Sequence, residues 1–156
     1  MDNIRQQRRF AILHKYIEEK WGEYFMEFIL NNLDKRWNWE FISENSNLTL
    51  NMIQKYLDSE YVKLIPKYLS RNINLNIDIV KQNLNKKWDW HYISKNGNIK
   101  MDVVKDTLGE PWAKWKWYFL SNNPNFTLDM LDFYPDKIRY HWDWYSISIN
   151  SKINME

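Results

Sequence analysis

Apolar and polar residues follow one recurring pattern along most of this chain. A segment of the form W-x-W-x-[FY]-[IL]-S-x-N-x-N, in which the second copy lacks tryptophan and the last is weaker at its end, occurs five times. The copies start at Trp37, Leu64, Trp88, Trp115 and Trp142, which are 27, 24, 27 and 27 residues apart. A near-constant period of this length is typical of a tandem repeat, in which one supersecondary unit recurs along the chain.

Each copy is followed by a second segment whose apolar residues have helical spacing. In the first of these, Leu50, Ile53 and Leu57 occupy positions i, i+3 and i+7 of a helix. The W-x-W segment itself is interpreted as a shorter helix, because Phe41 followed directly by Ile42 breaks the alternation of a strand. Each repeat is therefore predicted to contain two short helices joined by the Ser-x-Asn-x-Asn turn.

The pattern predicts an all-α fold, a short α-solenoid of helical-hairpin repeats with a period of about 27 residues. One repeat domain is predicted over residues 1–156, with repeats starting near residues 35, 62, 86, 113 and 140 and the last one incomplete. Residues 1–33 are predicted to form a lead-in pair of helices, Asn3–Lys20 and Gly22–Leu33.

The tryptophans are predicted to pack between successive repeats. Burying one large aromatic side chain removes about 150–250 Å² from water, a gross gain of about 4–6 kcal/mol at 25 cal/mol per Å². Ten exposed tryptophans would also create larger apolar patches than soluble monomers usually carry. The second tryptophan of each pair is expected to lie nearer the surface.

Serine and asparagine recur at fixed repeat positions and are expected to satisfy backbone groups where one turn stacks on the next. The equivalent positions are Ser43, Ser70, Ser94, Ser121 and Ser148, and Asn45, Asn72, Asn96, Asn123 and Asn150. Short polar residues also begin the second helices, where Thr49, Asn76 and Thr127 are expected to cap free N–H groups.

Two groups of residues are candidates for binding a partner. A basic residue precedes each of the five copies, and stacked repeats would align these residues about 10 Å apart, either as a contact for an acidic partner or as solvated surface. The row is Arg36, Lys63, Lys87, Lys114 and His141. Trp142 and Trp144 form the second group, because the incomplete last repeat would leave them without a covering neighbour and open to a partner or to another copy of the chain.

The residue content argues against catalysis and secretion. The chain has no cysteine and only three glycines, which excludes thiolate chemistry and disfavours a glycine-rich phosphate loop. The three histidines occupy unrelated repeat positions. We therefore expect a non-enzymatic protein without cofactor or metal. Because no signal peptide or long apolar run is present, we expect it to be intracellular, not secreted and not in a membrane.

One stretch resembles a known class of repeats. Pro111–Thr127, PWAKWKWYFLSNNPNFT, and Trp88–Lys100 are similar to the short tandem repeats, rich in "PWDW" and "NPNIT" phrases, of giant DNA viruses such as mimivirus relatives. The resemblance covers residues 35–155 and implies a viral source, with a location in the host cytoplasm or the virion. It implies a repeat protein without known chemistry.

Three functions are compatible with these observations. The first is a protein–protein interaction module or scaffold that binds a viral or host protein through an extended helical surface. The second is binding of single-stranded RNA or DNA through the basic row and exposed aromatic rings, although a net charge of +2 argues against a generally basic nucleic-acid binder. The third is a structural or assembly component of a virion.

Overall fold

A computed structural model describes residues 2–132 and 142–150, without the side chains of residues 2–4 and 18. Over these residues the secondary structure is helical and contains no β-strand, which confirms the predicted all-α class. The chain divides into two compact units, Met1–Ile65 and Pro66–Glu156. The single domain predicted over residues 1–156 stays a prediction.

The first unit contains three α-helices. They are α1 (Asp2–Leu30), α2 (Trp39–Glu44) and α3 (Leu50–Tyr56). The lead-in helix pair predicted for residues 1–33 is wrong, because α1 is one helix of 29 residues. Gly22 lies inside it and is buried. A Cβ atom at Gly22 would lie 2.8 Å from the carbonyl oxygen of Asn47, so this glycine permits a close approach of the turn before α3 and does not end a helix.

The second unit contains six short α-helices and one 3-10 helix within its described part. The α-helices are α4 (Pro66–Leu69), α5 (Ile77–Gln82), α6 (Trp90–Lys95), α7 (Met101–Asp106), α8 (Trp117–Leu120) and α9 (Trp144–Ile149), and the 3-10 helix (Leu128–Leu131) lies between α8 and α9. Short helices such as these are unstable alone, so they depend on the contacts that join them.

The helices of the W-x-W segments begin at the second tryptophan and not at the first. In α2, the side chain of Asn38 accepts hydrogen bonds from the N–H groups of Glu40 and Phe41, and it therefore fixes the helix start after Trp37. In the copy without tryptophans, Pro66 takes the place of the second tryptophan and opens α4. Proline suits the first helical position because its missing N–H would be unpaired there anyway.

The helices that follow the W-x-W segments supply much of the core. Fully buried apolar side chains recur at equivalent positions in and just before these helices, including Leu48, Ile53, Leu75, Ile79, Ile99, Val104, Phe126 and Met130. Thr49 and Asn76 cap the helices that follow them, as predicted. Thr127 makes no cap hydrogen bond, and the segment that follows is 3-10 rather than α-helical.

Candidate interaction surfaces

Four of the five recurring serines are structural, as predicted, because their hydroxyls accept a hydrogen bond from a backbone N–H of the following segment: Ser43, Ser70, Ser94 and Ser121. The prediction is wrong for Ser148, which is exposed and donates to the carbonyl oxygen of Tyr145 in its own helix.

Ser70 Oγ donates to the carbonyl oxygen of Pro66 at 2.9 Å and accepts from the backbone N–H of Asp89 at 3.0 Å. Ser94 Oγ makes the equivalent pair of hydrogen bonds. It donates to the carbonyl oxygen of Trp90 and accepts from the backbone N–H of Lys116, the N-cap residue of α8. Each hydroxyl thus joins the end of one helix to the start of the next W-x-W-type helix, and it is consumed by these bonds.

The recurring asparagines form the predicted ladder within the second unit. Asn96 Nδ2 donates to the carbonyl of Asn72 at 2.9 Å, Asn123 Nδ2 donates to that of Asn96 at 3.0 Å, and Asn150 Nδ2 donates to that of Asn123 at 3.3 Å. The side-chain oxygen of Asn123 also accepts from the N–H two residues later. Because these amides satisfy buried backbone groups, they are not available to a ligand.

The tryptophans are divided between core and surface. Trp90 contacts Trp115 edge to face with ring centroids 5.2 Å apart, and Trp117 contacts Trp142 in the same way at 5.4 Å. These pairs join successive W-x-W segments, as predicted. The expectation that the second tryptophan is the more exposed is wrong for Trp90, which is buried while Trp88, the first of its pair, is half-buried.

The candidate pair near the chain's end is not a uniform surface. Trp142 is only 4% exposed, and it packs on Trp117 and Phe126 at centroid distances of 5.4 and 5.2 Å. It is therefore part of the core, which corrects the expectation that it is open to a partner. Trp144 is 55% exposed and stays a candidate for contact with a partner.

The structure places two residues of the basic row in one recess. Lys87 and Lys114 line a surface recess of about 390 Å³ with Lys67 and Lys116, beside the half-buried ring of Trp88. Arg36 and Lys63 are exposed in the first unit. The last member, His141, lies outside the described residues.

The recess carries more positive than negative charge. His91 and Asp89 also line it; His91 Nδ1 lies 3.2 Å from an oxygen of Asp89, whose carboxylate caps α6. The single acid offsets only part of the charge of the four lysines. Among the described residues of the chain, no group of three or more histidine and acidic side chains could hold a metal ion.

The most prominent apolar surface lies on α1, where sequence reasoning did not place a site. Eight large side chains on this helix are between 44% and 75% exposed. Six of them fall within about 80° of the helix circumference at about 100° per residue, and Ile12 and Tyr16 lie outside this arc. We call these six the apolar stripe: Phe10, Leu13, Ile17, Trp21, Tyr24 and Phe28. Together with Tyr16 and Lys20, its central residues line a shallow groove of about 510 Å³.

The apolar stripe could have been recognised from the spacing of its residues in the sequence. Phe10 and Trp21, Leu13 and Tyr24, and Ile17 and Phe28 are each 11 residues apart, and an 11-residue apolar period marks one face of an almost straight helix. One pair of charged side chains beside it is joined along the helix. Lys20 Nζ lies 2.6 Å from a carboxylate oxygen of Glu23, and this contact raises the pKa of Lys20 above its ordinary value.

Within the described residues, no helix has both the length and the low polarity needed to cross a bilayer. Comparison of the chain with models of protein families, with curated proteins and with solved structures finds no match in any of the three.

Proposed function

We propose that this chain is a non-enzymatic protein–protein interaction module or scaffold of a large DNA virus, present in the host cytoplasm or the virion. The observation that carries the proposal is the apolar stripe of α1. Soluble monomers rarely leave large contiguous apolar patches in water, and those that do mostly use them to bind. Apolar side chains at this helical spacing are typical of helices that dock on another helix or in a groove.

We further propose that the short helices belong to an α-solenoid with a period of about 27 residues. The serine and asparagine bonds support this, because they connect residues 19–29 apart and recur at equivalent sequence positions. An array of this kind depends on contacts between neighbouring repeats.

The proposal is tested by changing the apolar stripe alone. Ile17→Glu combined with Trp21→Glu places two charges in the centre of the stripe, at side chains that are 44% and 61% exposed. The matched control is Ile12→Glu, whose side chain is 70% exposed and lies about 140° from the centre of the stripe at 100° per residue.

We expect the double variant to lose the protein complexes that the wild type forms in cells from which it is purified, and the control to keep them. Far-UV circular dichroism of the three proteins should be the same apart from small changes in α1. If the double variant enters the same complexes as the wild type, the apolar stripe is not the interaction surface and the proposal fails.

The basic recess favours a second candidate function, the binding of single-stranded RNA or DNA. Four lysines around an indole ring combine phosphate attraction with a stacking surface for a base. About four phosphate contacts on a single strand give a slope of about −3 in log affinity against log salt concentration. Fluorescence anisotropy with a labelled oligonucleotide measures this slope for the wild type and for Lys87→Glu combined with Lys114→Glu.

The control for that experiment is Lys35→Glu combined with Lys55→Glu, which makes the same change of charge at exposed residues of the first unit. Binding that is lost only in the variant of the recess supports nucleic-acid binding. Equal weakening in both variants indicates attraction by net charge alone, and no binding by the wild type removes this candidate.

A further inference from the structure

We infer that α1 pairs with α1 of a second copy of the chain, in antiparallel orientation, and that the apolar stripe forms the contact. The inference rests on the proposed interaction function and names the partner that the stripe fits best. Four observations on α1 support it: its lack of cover, the spacing of its apolar residues, its exposed area and its charge.

Most of α1 has no cover from the rest of the chain. Every described side chain from residue 5 to residue 21 is exposed, and burial begins at Gly22 and continues at Met26 and Ile29. A helix without tertiary contacts is marginally stable in water, because its nucleation is costly and most helical stability in proteins comes from packing. A second helix against the stripe would supply the missing contacts.

The spacing of the apolar stripe suits a helix as its partner. The stripe extends from Phe10 to Phe28, a length of about 27 Å at 1.5 Å per residue. An 11-residue repeat, at about 3.67 residues per turn, keeps an apolar seam facing a second helix when the two helices wind around each other in a right-handed supercoil. The stripe is narrow and continuous, as expected for a seam between two helices.

The exposed area is sufficient for a stable dimer. The six side chains of the stripe together expose the equivalent of about three and a half whole side chains, about 700 Å² at roughly 200 Å² for a large side chain. Two copies would bury about 1,400 Å² at this seam, which lies within the range of about 1,200–2,000 Å² for stable, specific interfaces.

The charges of α1 select the antiparallel orientation. Residues 2–17 carry four basic residues and one acidic one, whereas residues 18–30 carry four acidic residues and one basic one. Antiparallel pairing brings the basic half of each helix to the acidic half of the other, and parallel pairing brings like charges together.

The positions of individual charges agree with this orientation. Arg9 and Glu27 lie on the same flank of the stripe, each about 80° from its centre at 100° per residue. In an antiparallel pair the same flanks of the two helices face each other, so Arg9 of one copy would meet Glu27 of the other, twice per dimer. Lys20 also lies on this flank, near the two-fold axis, where Glu23 of its own chain offsets its charge at 2.6 Å.

The same distribution of charge disfavours a lipid surface as the partner. Amphipathic helices that lie on membranes are typically rich in lysine and arginine along their polar face, but the second half of α1 is acidic. Binding of the wild type to vesicles of phosphatidylcholine and phosphatidylserine, with no self-association in solution, would therefore overturn the inference.

Sedimentation equilibrium of the full chain tests self-association. We expect the wild type to be a dimer at micromolar concentration, and Ile17→Glu with Trp21→Glu to raise the dissociation constant at least about 100-fold, because four charges would enter an apolar seam. The control Ile12→Glu should change it less than about threefold, as expected of a surface site away from the contact. A dimer that is unaffected by the double variant would contradict a contact through α1.

Charge exchange tests the orientation. Arg9→Glu should weaken the dimer about tenfold or more, because like charges would face each other twice. Adding Glu27→Arg to the same chain should restore the dissociation constant to within about threefold of the wild type, since opposite charges face each other again. If Arg9→Glu weakens the dimer and the second change does not restore it, antiparallel pairing is refuted.

Cross-linking provides an independent measure of orientation, because the chain has no cysteine of its own. The single variants Phe10→Cys and Phe28→Cys are mixed and oxidised mildly. Antiparallel pairing predicts disulfides between the two variants, and parallel pairing predicts disulfides within each variant when it is oxidised alone.

Failure of this inference and failure of the proposed function give different results. A monomeric wild type whose complexes with other proteins disappear in the stripe variant refutes self-pairing and leaves the interaction function in place. A stripe variant that matches the wild type in both oligomeric state and complexes refutes both.

Discussion

Replacement of Gly22 by alanine measures the closest approach of α1 to the rest of the first unit. The added Cβ would lie 2.8 Å from the carbonyl oxygen of Asn47, 2.9 Å from Cγ2 of Thr49 and 3.2 Å from Cε of Met52. The methionine can move, but the carbonyl belongs to the backbone of the turn before α3. Either this turn or the helix must therefore shift.

Two opposing effects set the size of the change. Alanine inside a helix is favoured over glycine by about 0.8–1.0 kcal/mol, whereas overpacking of a well-packed site costs about 1–3 kcal/mol. We expect Gly22→Ala to lower the free energy of unfolding by about 1–2 kcal/mol, because two of the three contacts are too short and one involves backbone.

The matched control is Gly109→Ala. A Cβ at Gly109 meets no atom within 4 Å, and the backbone there has no positive φ. This change should leave stability unaltered or raise it by up to about 1 kcal/mol through the unfolded state. Urea denaturation followed by tryptophan fluorescence compares the two. A Gly22→Ala variant as stable as the wild type or as Gly109→Ala would show that the contact at Gly22 is not tight.

Two further predictions concern the second unit. Asn123→Ala should destabilise this unit by about 2–4 kcal/mol, because several buried backbone groups lose their hydrogen-bond partner. The control, Asn51→Ala at an exposed position of α3, should cost less than about 0.5 kcal/mol. Chemical denaturation measures both changes, and equal losses of stability would contradict the asparagine ladder. Lys105 lowers the pKa of Asp129 by donating a hydrogen bond to it, so this pair should contribute stability above the unfolded pKa of about 4 and lose it as the pH falls through the lower folded pKa. Because Asp129 is largely exposed, the loss should be about 0.2–1 kcal/mol, and an identical acid limb in Asp129→Asn would show that the pair contributes nothing.

Equivalent positions in a repeat made the helices and the polar ladder predictable from sequence. Ser94 and Asn96 could be assigned to the turns because the same residue types return in every copy, and a stacked turn has backbone groups that need such partners. The helices that contain Ile53 and Val104 followed from apolar spacing. These features depend mainly on hydrogen bonding and apolar spacing within short segments, and the recurrence of the same residue types makes both recognisable in the sequence.

Features that depend on which neighbour is present could not be predicted. Gly22 resembles a helix break in sequence, and only its contact with the turn at Asn47 gives it another role. Trp88 and Trp90 are chemically identical, so their burial depends on which ring Trp115 reaches. The 11-residue spacing around Trp21 was visible in the sequence, but its exposure follows from the absence of cover over residues 5–21, which is a property of tertiary packing.

Amide hydrogen exchange over residues 5–21 shows whether the exposed face of α1 is a protein-binding surface. We expect exchange there to slow at least about tenfold when the protein is associated, because local opening then costs more, and to stay fast in Ile17→Glu with Trp21→Glu. Exchange that is equally fast in the wild type alone, at high concentration and in its purified complexes would contradict this expectation.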